Sequence, residues 1–356
     1  MTNDEILTQV QQLLEGSDGE LKTVLLKEML LGILKLNDYH LDTLDLKILN
    51  RTLKELRYAF RVFQPYRNRQ KISFFGSART QPGDPNYQLA YRFARRLVEH
   101  GYMVITGGAD GIMRAGQEGA GRENSFGVNI MLPFEQGPNN IIADDPKLIT
   151  FKYFFTRKLL FVKESNGTAL FPGGFGTHDE GFEVLTLLQT GKSHPQPVVC
   201  LQAPDCDYWD RWHGFIRDQL LCRGLISPED MSLFKVFRTE EAAVQEIEAF
   251  YRNYHSVRSV HRHFVLRMRQ SLSSEQLERI NDEFADLLEQ GSFEQGAALP
   301  DELDEPSIKE LPRLIFVYNR RSAGRLRQLI DHLNALPALR APGLAEMAQP
   351  VPPAGL

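Results

Sequence analysis

Three times in this chain a short apolar run breaks into a glycine turn and then into a helical pattern. Ile72-Ser73-Phe74-Phe75 leads to Gly76-Ser77-Ala78-Arg79, and Met103-Val104-Ile105 leads to Thr106-Gly107-Gly108-Ala109-Asp110-Gly111. Thr168-Ala169-Leu170-Phe171 leads to Pro172-Gly173-Gly174-Phe175-Gly176-Thr177. Leu89, Phe93 and Leu97 follow the first turn at helical spacing, a helix starts near Ile112 after the second, and Phe182, Leu185 and Leu188 follow the third. Further strands are expected at 128–131, 148–151 and 197–201. Strand, turn and helix repeated in this order predict a parallel sheet with helices on both faces, a Rossmann-like α/β fold. Ligands of such sheets bind beyond the carboxyl ends of the strands, where all three glycine turns fall.

The segments around this core read differently. Residues 1–68 are expected to be helical. Thr2 and Glu5 form a capping box before Leu7, Val10 and Leu14, and leucine-dense helices follow at 21–36 and 42–63, where Pro65 stops the pattern. They carry no nameable chemistry and read as packing elements. The Rossmann-like core is expected at 69–254 and a small α+β unit at 255–338. That unit has a strand at 263–266, a capping box at Ser273–Gln276, a polar acidic loop at 290–311, a strand at 314–317 and a helix at 322–335. This β-α-β-α order suggests half of a ferredoxin-like sandwich. Residues 339–356, rich in Pro and Ala, are expected to be a disordered tail.

Composition narrows the class. A net charge of −5 argues against nucleic acid as the main partner. Cys200, Cys206 and Cys222 have neither disulfide nor zinc-site spacing, and are expected to be reduced thiols. No basic-then-apolar leader opens the chain, and no apolar run approaches ~18 residues. A cytoplasmic protein without membrane or nucleic-acid partners is expected, and no metal or cofactor site is read.

Two phosphate-binding patterns are not met. A Gly-x-Gly-x-x-Gly run from Gly174 would require glycine at Asp179. Gly191-Lys192-Ser193 resembles the end of a P-loop, but the earlier glycine would fall at Thr186, and the segment ends a helix. What remains is the third turn. Its glycines let backbone N–H groups approach a ligand, and the helix start that follows favours an anion. The turn predicts an anion site, with Glu180 about one helical turn away. Thr177-x-x-Glu180 also reads as a capping box, so Glu180 has a structural alternative. Arg157, on the helix before the third strand, has the alternative of a surface ion pair.

With these residues in view, the chain resembles a known family. Pro172-Gly173-Gly174-Phe175-Gly176-Thr177-His178-Asp179-Glu180, preceded by Arg157-Lys158, looks like the paired signature of the Lonely Guy (LOG) family of nucleoside 5′-monophosphate phosphoribohydrolases. Phe74-Phe75-Gly76-Ser77 and the turn from Thr106 to Met113 resemble its first two glycine turns, and the likeness spans about residues 70–250. The family is also labelled lysine-decarboxylase-like, although no pyridoxal phosphate site is read here. The resemblance implies hydrolysis of the N-glycosidic bond of a nucleotide to free base and ribose 5-phosphate. It implies Arg157 and Glu180 as catalytic residues. It further implies Gly76, Ser77, Gly107, Gly108, Gly111, Lys158, Gly173, Gly174, Gly176, Thr177 and Asp179 as substrate-binding residues. Arg79 is a weaker phosphate candidate. A homodimer or higher homo-oligomer is implied too.

Thr106 stands where the family usually has glycine, and His178 and Asp179 where Leu and Glu are frequent. His178 reads as a surface histidine at a helix start. The added terminal segments resemble those of larger bacterial nucleotide nucleosidases, which favours ordinary purine or pyrimidine monophosphates over cytokinin nucleotides. The alternative is a non-hydrolytic carrier or sensor of a nucleotide or molybdopterin-type cofactor on the same fold. Arg258, Arg262, Arg267, Arg269, Arg320, Arg321, Arg325 and Arg327 suggest a site for a phosphorylated effector, against the alternative of a solvated face or pairing with the acidic 301–305 stretch.

Overall fold

The computed structural model describes residues 8, 20–132, 137–302 and 305–337. The Thr2–Glu5 capping box, Leu7, Val10, Leu14 and the 339–356 tail lie outside them. The chain divides into two compact units, 1–57 and 58–356.

The first unit contains helix α1 (Glu20–Lys35) and most of α2 (Thr43–Phe63). Their leucine-rich faces were expected to pack. Instead Leu25, Met29, Ile33, Leu44 and Leu53 are 40% or more exposed.

The second unit holds two sheets. The larger has seven parallel strands in the order β4-β3-β2-β1-β5-β6-β7. These are β1 (Lys71–Phe75), β2 (Met103–Thr106), β3 (Ser125–Ile130), β4 (Leu148–Phe151), β5 (Thr168–Leu170), β6 (Val198–Leu201) and β7 (Phe234–Phe237). The intervening helices are α3 (Pro85–Glu99), α4 (Ile112–Ala120), α5 (Phe154–Glu164), α6 (Phe175–Gln189), α7 (Tyr208–Phe215) and α8 (Glu240–Phe250). Every residue of β1, β2, β5 and β6 is buried, as a sheet covered on both faces requires. Phe74 sits at the centre, its ring 5.3 Å from Phe93 and 5.6 Å from Phe171. Helix α3 starts where Asp84 Oδ1 accepts the Asn86 N–H at 2.7 Å and Pro85 fills a first-turn position.

The strand order reverses at β1, whose neighbours are β2 and β5. A crevice opens at such a reversal, beyond the carboxyl ends of the strands. The Gly76–Ser77 and Pro172–Gly176 turns lie there.

The second sheet is antiparallel, in the order β10-β11-β9-β8. Its strands are β8 (Tyr254–Val260), β9 (His263–Met268), β10 (Leu288–Gly296) and β11 (Arg313–Tyr318), with helices α9 (Ser274–Glu283) and α10 (Ala323–Ala335). Two hairpins each followed by a helix replace the expected half of a ferredoxin-like sandwich. The expected loop at 290–311 begins with an edge strand. Only Phe293 of β10 is buried, and its pairing with β11 is irregular, so the strand carries almost no hydrophobic alternation. The Ser273–Gln276 capping box is present: Gln276 N–H donates to Ser273 Oγ at 3.1 Å and Ser273 N–H to Gln276 Oε1 at 2.8 Å.

Candidate active site

Three backbone turns interlock at the crevice. A Cβ on Gly111, which has φ +65°, would stand 2.2 Å from the Ser77 carbonyl oxygen. One on Gly76 would meet the Ile112 side chain at 2.7 Å, and one on Gly173 would meet Thr177 Oγ1 at 2.1 Å and the Ser77 nitrogen at 2.9 Å. The Gly76–Ser77 turn is therefore clasped between the other two. Ser77 N–H donates to Pro172 O at 3.1 Å, and Ile112 N–H to Ser77 O at 3.0 Å. Gly174 and Gly176 behave differently: a Cβ on either would meet nothing within 4 Å. They front open space.

Helix α6 begins on this loop with Gly174 as its N-cap, without a side-chain cap. Thr177 is thus inside the first turn, and its N–H already reaches Gly174 O at 3.1 Å. The capping-box role of Glu180 fails for this reason: the cap lies three residues too early. The amides of Phe175 and Gly176 belong to the first turn, whose N–H groups have no partner within the helix.

Glu180 is 6% exposed and faces two cations. Lys158 Nζ stands 3.1 Å from Glu180 Oε2, and Arg157 Nη1 is 3.5 Å from Oε1. Burial raises the Glu180 carboxyl above its ordinary value, with Arg157 and then Lys158 offsetting part of the effect. Lys158 also meets Asp179 at 3.0 Å and Glu183 at 2.6 Å. Burial pulls its ammonium down, but Glu183, Glu180 and Asp179 outweigh that and hold it above the usual lysine value. Among the described residues, two cations thus meet three carboxylates here.

Arg157 ties the two halves of the crevice together. Its Nε donates to Val128 O within β3 at 2.9 Å, and its guanidinium lies 5.0 Å from the Phe161 ring centre. A Cβ on Gly107 would stand 2.8 Å from Arg157 Nη2. Met113 Sδ stands nearer still, at 2.6 Å, so a side chain at Gly107 would displace both groups.

The second turn is held from below. Gly108, with φ +76°, donates its N–H to Thr106 Oγ1 at 3.0 Å, which gives the unusual threonine a turn-fixing role. Buried Asn139 donates from Nδ2 to Ala109 O at 2.8 Å and Gly108 O at 3.1 Å. Arg79 is exposed and contributes its backbone N–H to Ser77 Oγ.

His178 is not the surface histidine expected. It is half-buried in an aromatic group with Tyr208, Trp209 and Trp212, and burial lowers its imidazole below the usual value. Tyr208 Oη lies 2.6 Å from His178 Nε2 and 2.5 Å from Gly173 O. Asn139, Glu183 and Tyr208 were missed in the sequence. Glu183, one turn beyond Glu180 on the same helix face, was the only one with a readable signal.

The family model described as "Possible lysine decarboxylase" matches residues 106–247. The probable cytokinin riboside 5′-monophosphate phosphoribohydrolase LOGL5 of Oryza sativa subsp. japonica is 32% identical over 170 residues, covering 46% of this chain and 64% of that relative. The chain therefore spans less than two thirds of that protein's length. An uncharacterized protein of Archaeoglobus fulgidus is 31% identical over 119 residues, covering 33% of this chain and 75% of its own. Among solved structures, the Moco carrier protein of Chlamydomonas reinhardtii is 21% identical, with 51% of this chain and 98% of that one covered and a TM-score of 0.36.

Proposed function

This chain belongs to the Lonely Guy (LOG) family, and from that premise we propose that it hydrolyses the N-glycosidic bond of nucleoside 5′-monophosphates to free base and ribose 5-phosphate. The observation that carries the reading is Glu180: a buried carboxylate with sparse donors, one helical turn from glycines that front open space. The 5′-phosphate sits on the N–H groups of Gly174, Phe175 and Gly176 at the start of α6, with Ser77 and the 107–111 turn on the opposite side. As the C1′–N bond breaks, the pair of electrons leaves with the base and positive charge grows on the ribose. Glu180 is placed to stabilise that charge, and an under-compensated carboxylate in a water-poor site does so strongly. Water then adds to C1′, loses its proton, and the base is protonated. Arg157 and Lys158 position Glu180, and Asp179 and Glu183 position Lys158.

Ordinary purine and pyrimidine monophosphates are the proposed substrates. A homodimer is proposed as well, supported by three apolar side chains at helix starts on this edge: Phe154, Phe155 and Phe175 are 48%, 54% and 96% exposed. Purified protein incubated with a panel of nucleoside monophosphates should release base and ribose 5-phosphate in equal amounts. Binding without release would favour a non-hydrolytic carrier.

A further inference from the structure

Helix α6 ends far from its glycine start, in a second glycine turn where Gly191 has φ +66°. Lys192 N–H returns to Leu187 O at 2.8 Å, so Gly191-Lys192-Ser193 is a helix terminus and not a phosphate loop. Beyond it lies a cavity of about 1100 Å³, between the end of α6 and the second sheet. Leu187, Leu233, Val257, Phe264 and Leu326 supply apolar wall; Gln196, Tyr318 and Arg320 supply polar groups. A neighbouring hollow of about 340 Å³ shares Tyr318 and Arg320 and adds Arg262 and Arg321.

Two independent observations point to a ligand. Gln196 is 5% exposed, and its Oε1 has no hydrogen-bond partner among the described residues. A buried acceptor left in this state is destabilising, and a ligand N–H or O–H would relieve it. The second concerns the arginines. Seven of the ten in residues 255–338 are engaged: Arg258 with Glu305, Arg267 with Glu302 and Glu305, Arg269 with Tyr251 O, Arg279 with Glu275, Arg313 with Glu302, Arg325 with Asp286, and Arg327 with Glu246 and Asp331. The other three, Arg262, Arg320 and Arg321, line the hollows beside the paired Arg258 and Arg327 and the carboxylates Glu289 and Glu305, and no carboxylate lies within 4.0 Å of these three among the described residues. Arg320 is held with φ +57°, which a side-chain-bearing residue rarely adopts. Asn319 fixes it, donating to Leu287 O at 3.0 Å and Asp286 O at 2.6 Å and accepting the Arg321 N–H at 2.9 Å.

We infer that this cavity binds a small organic oxyanion whose apolar body rests on Val257, Phe264 and Leu326. Its N–H or O–H donates to Gln196 Oε1, and its phosphate or carboxylate is held by Arg320 together with Arg262 or Arg321. The site is separate from the three glycine turns of the crevice, so its occupation is read without reference to turnover.

Anilinonaphthalene sulfonate suits the test, since it combines aromatic rings, one N–H and one anion. The full chain should bind it saturably at one site per protomer. Arg320→Asn, which removes the cation but tolerates the backbone angle, should weaken binding roughly tenfold. Ala323→Trp, which fills the cavity, should abolish it, with thermal unfolding checked for both variants. Displacement by phenyl phosphate or by benzoate would identify the anion as phosphate or carboxylate. Binding that is absent, or unchanged in a folded Arg320→Asn protein, overturns the assignment.

Discussion

Glu180 and Glu302 are both buried, 6% and 0% exposed, and each faces two cations, yet their carboxyls shift in opposite directions. For Glu302, burial would raise the carboxyl, but the Leu299 N–H at 3.1 Å and Arg267 Nε at 2.8 Å, with Arg313 Nε at 3.2 Å, outweigh it and hold the group low. Among the described residues Glu180 receives Lys158, shared with two other carboxylates, and a distant Arg157, and burial wins. One carboxylate has its charge replaced by donors at close range. The other keeps a charge that its surroundings only partly answer. The first is a structural clamp that ties β9 and β11 to Leu299; the second is suited to a cation that arrives with the reaction.

Removing the clamp should have the largest effect. Glu302→Gln leaves Arg267 and Arg313 buried with too little negative charge and should cost about 3–5 kcal/mol in denaturant unfolding. A loss under about 1 kcal/mol would erase the contrast. Its pH signature follows from sign: a depressed carboxyl contributes stability above its unfolded pKa that is lost as pH falls through the folded value. Glu180, being raised, has the opposite signature, its contribution present at low pH and lost as pH rises through its folded value. Glu180→Gln should therefore leave unfolding within about 1 kcal/mol of the parent, while turnover falls about 100- to 1000-fold.

The glycines sharpen the contrast on a smaller scale. Gly173→Ala drives a Cβ to 2.1 Å from Thr177 Oγ1 and should cost about 1–3 kcal/mol of stability. Gly176→Ala meets nothing, so the folded state should be unaffected while KM rises. Equal unfolding midpoints for the two would remove the distinction between a packed glycine and one that fronts the ligand. The smallest effect concerns pH. The acid limb of turnover should lie above 4.5, the ordinary glutamate value, and Lys158→Met should move it higher still, since Lys158 favours the ionised form.

Much of this was legible because glycine turns and buried strands are local in sequence. The apolar runs at 72–75, 103–105 and 168–171 located three strands, and the turns after them located one edge of the sheet. The first-turn position of Thr177 was not legible, since Gly174 caps the helix without a side chain. Glu302 was invisible as a clamp because its partners, Arg267 and Arg313, come from strands 35 and 11 residues away. Tyr208 and Asn139 act through backbone carbonyls, and no spacing rule announces that. Edge strand β10 has one buried side chain, too few for a period. The exposed leucines of α1 and α2 have helical spacing, which fixes the helix but not what covers it.

The most direct measurement pairs the native protein with Glu180→Gln on the same nucleoside monophosphates, following free base, ribose 5-phosphate, nucleotide binding and unfolding together. The expected result is equimolar product from the native protein, and from the variant no product above background, retained nucleotide binding and an unchanged unfolding midpoint. A variant that turns over normally while melting at lower temperature would contradict the assignment, and would make Glu180 a structural carboxylate like Glu302.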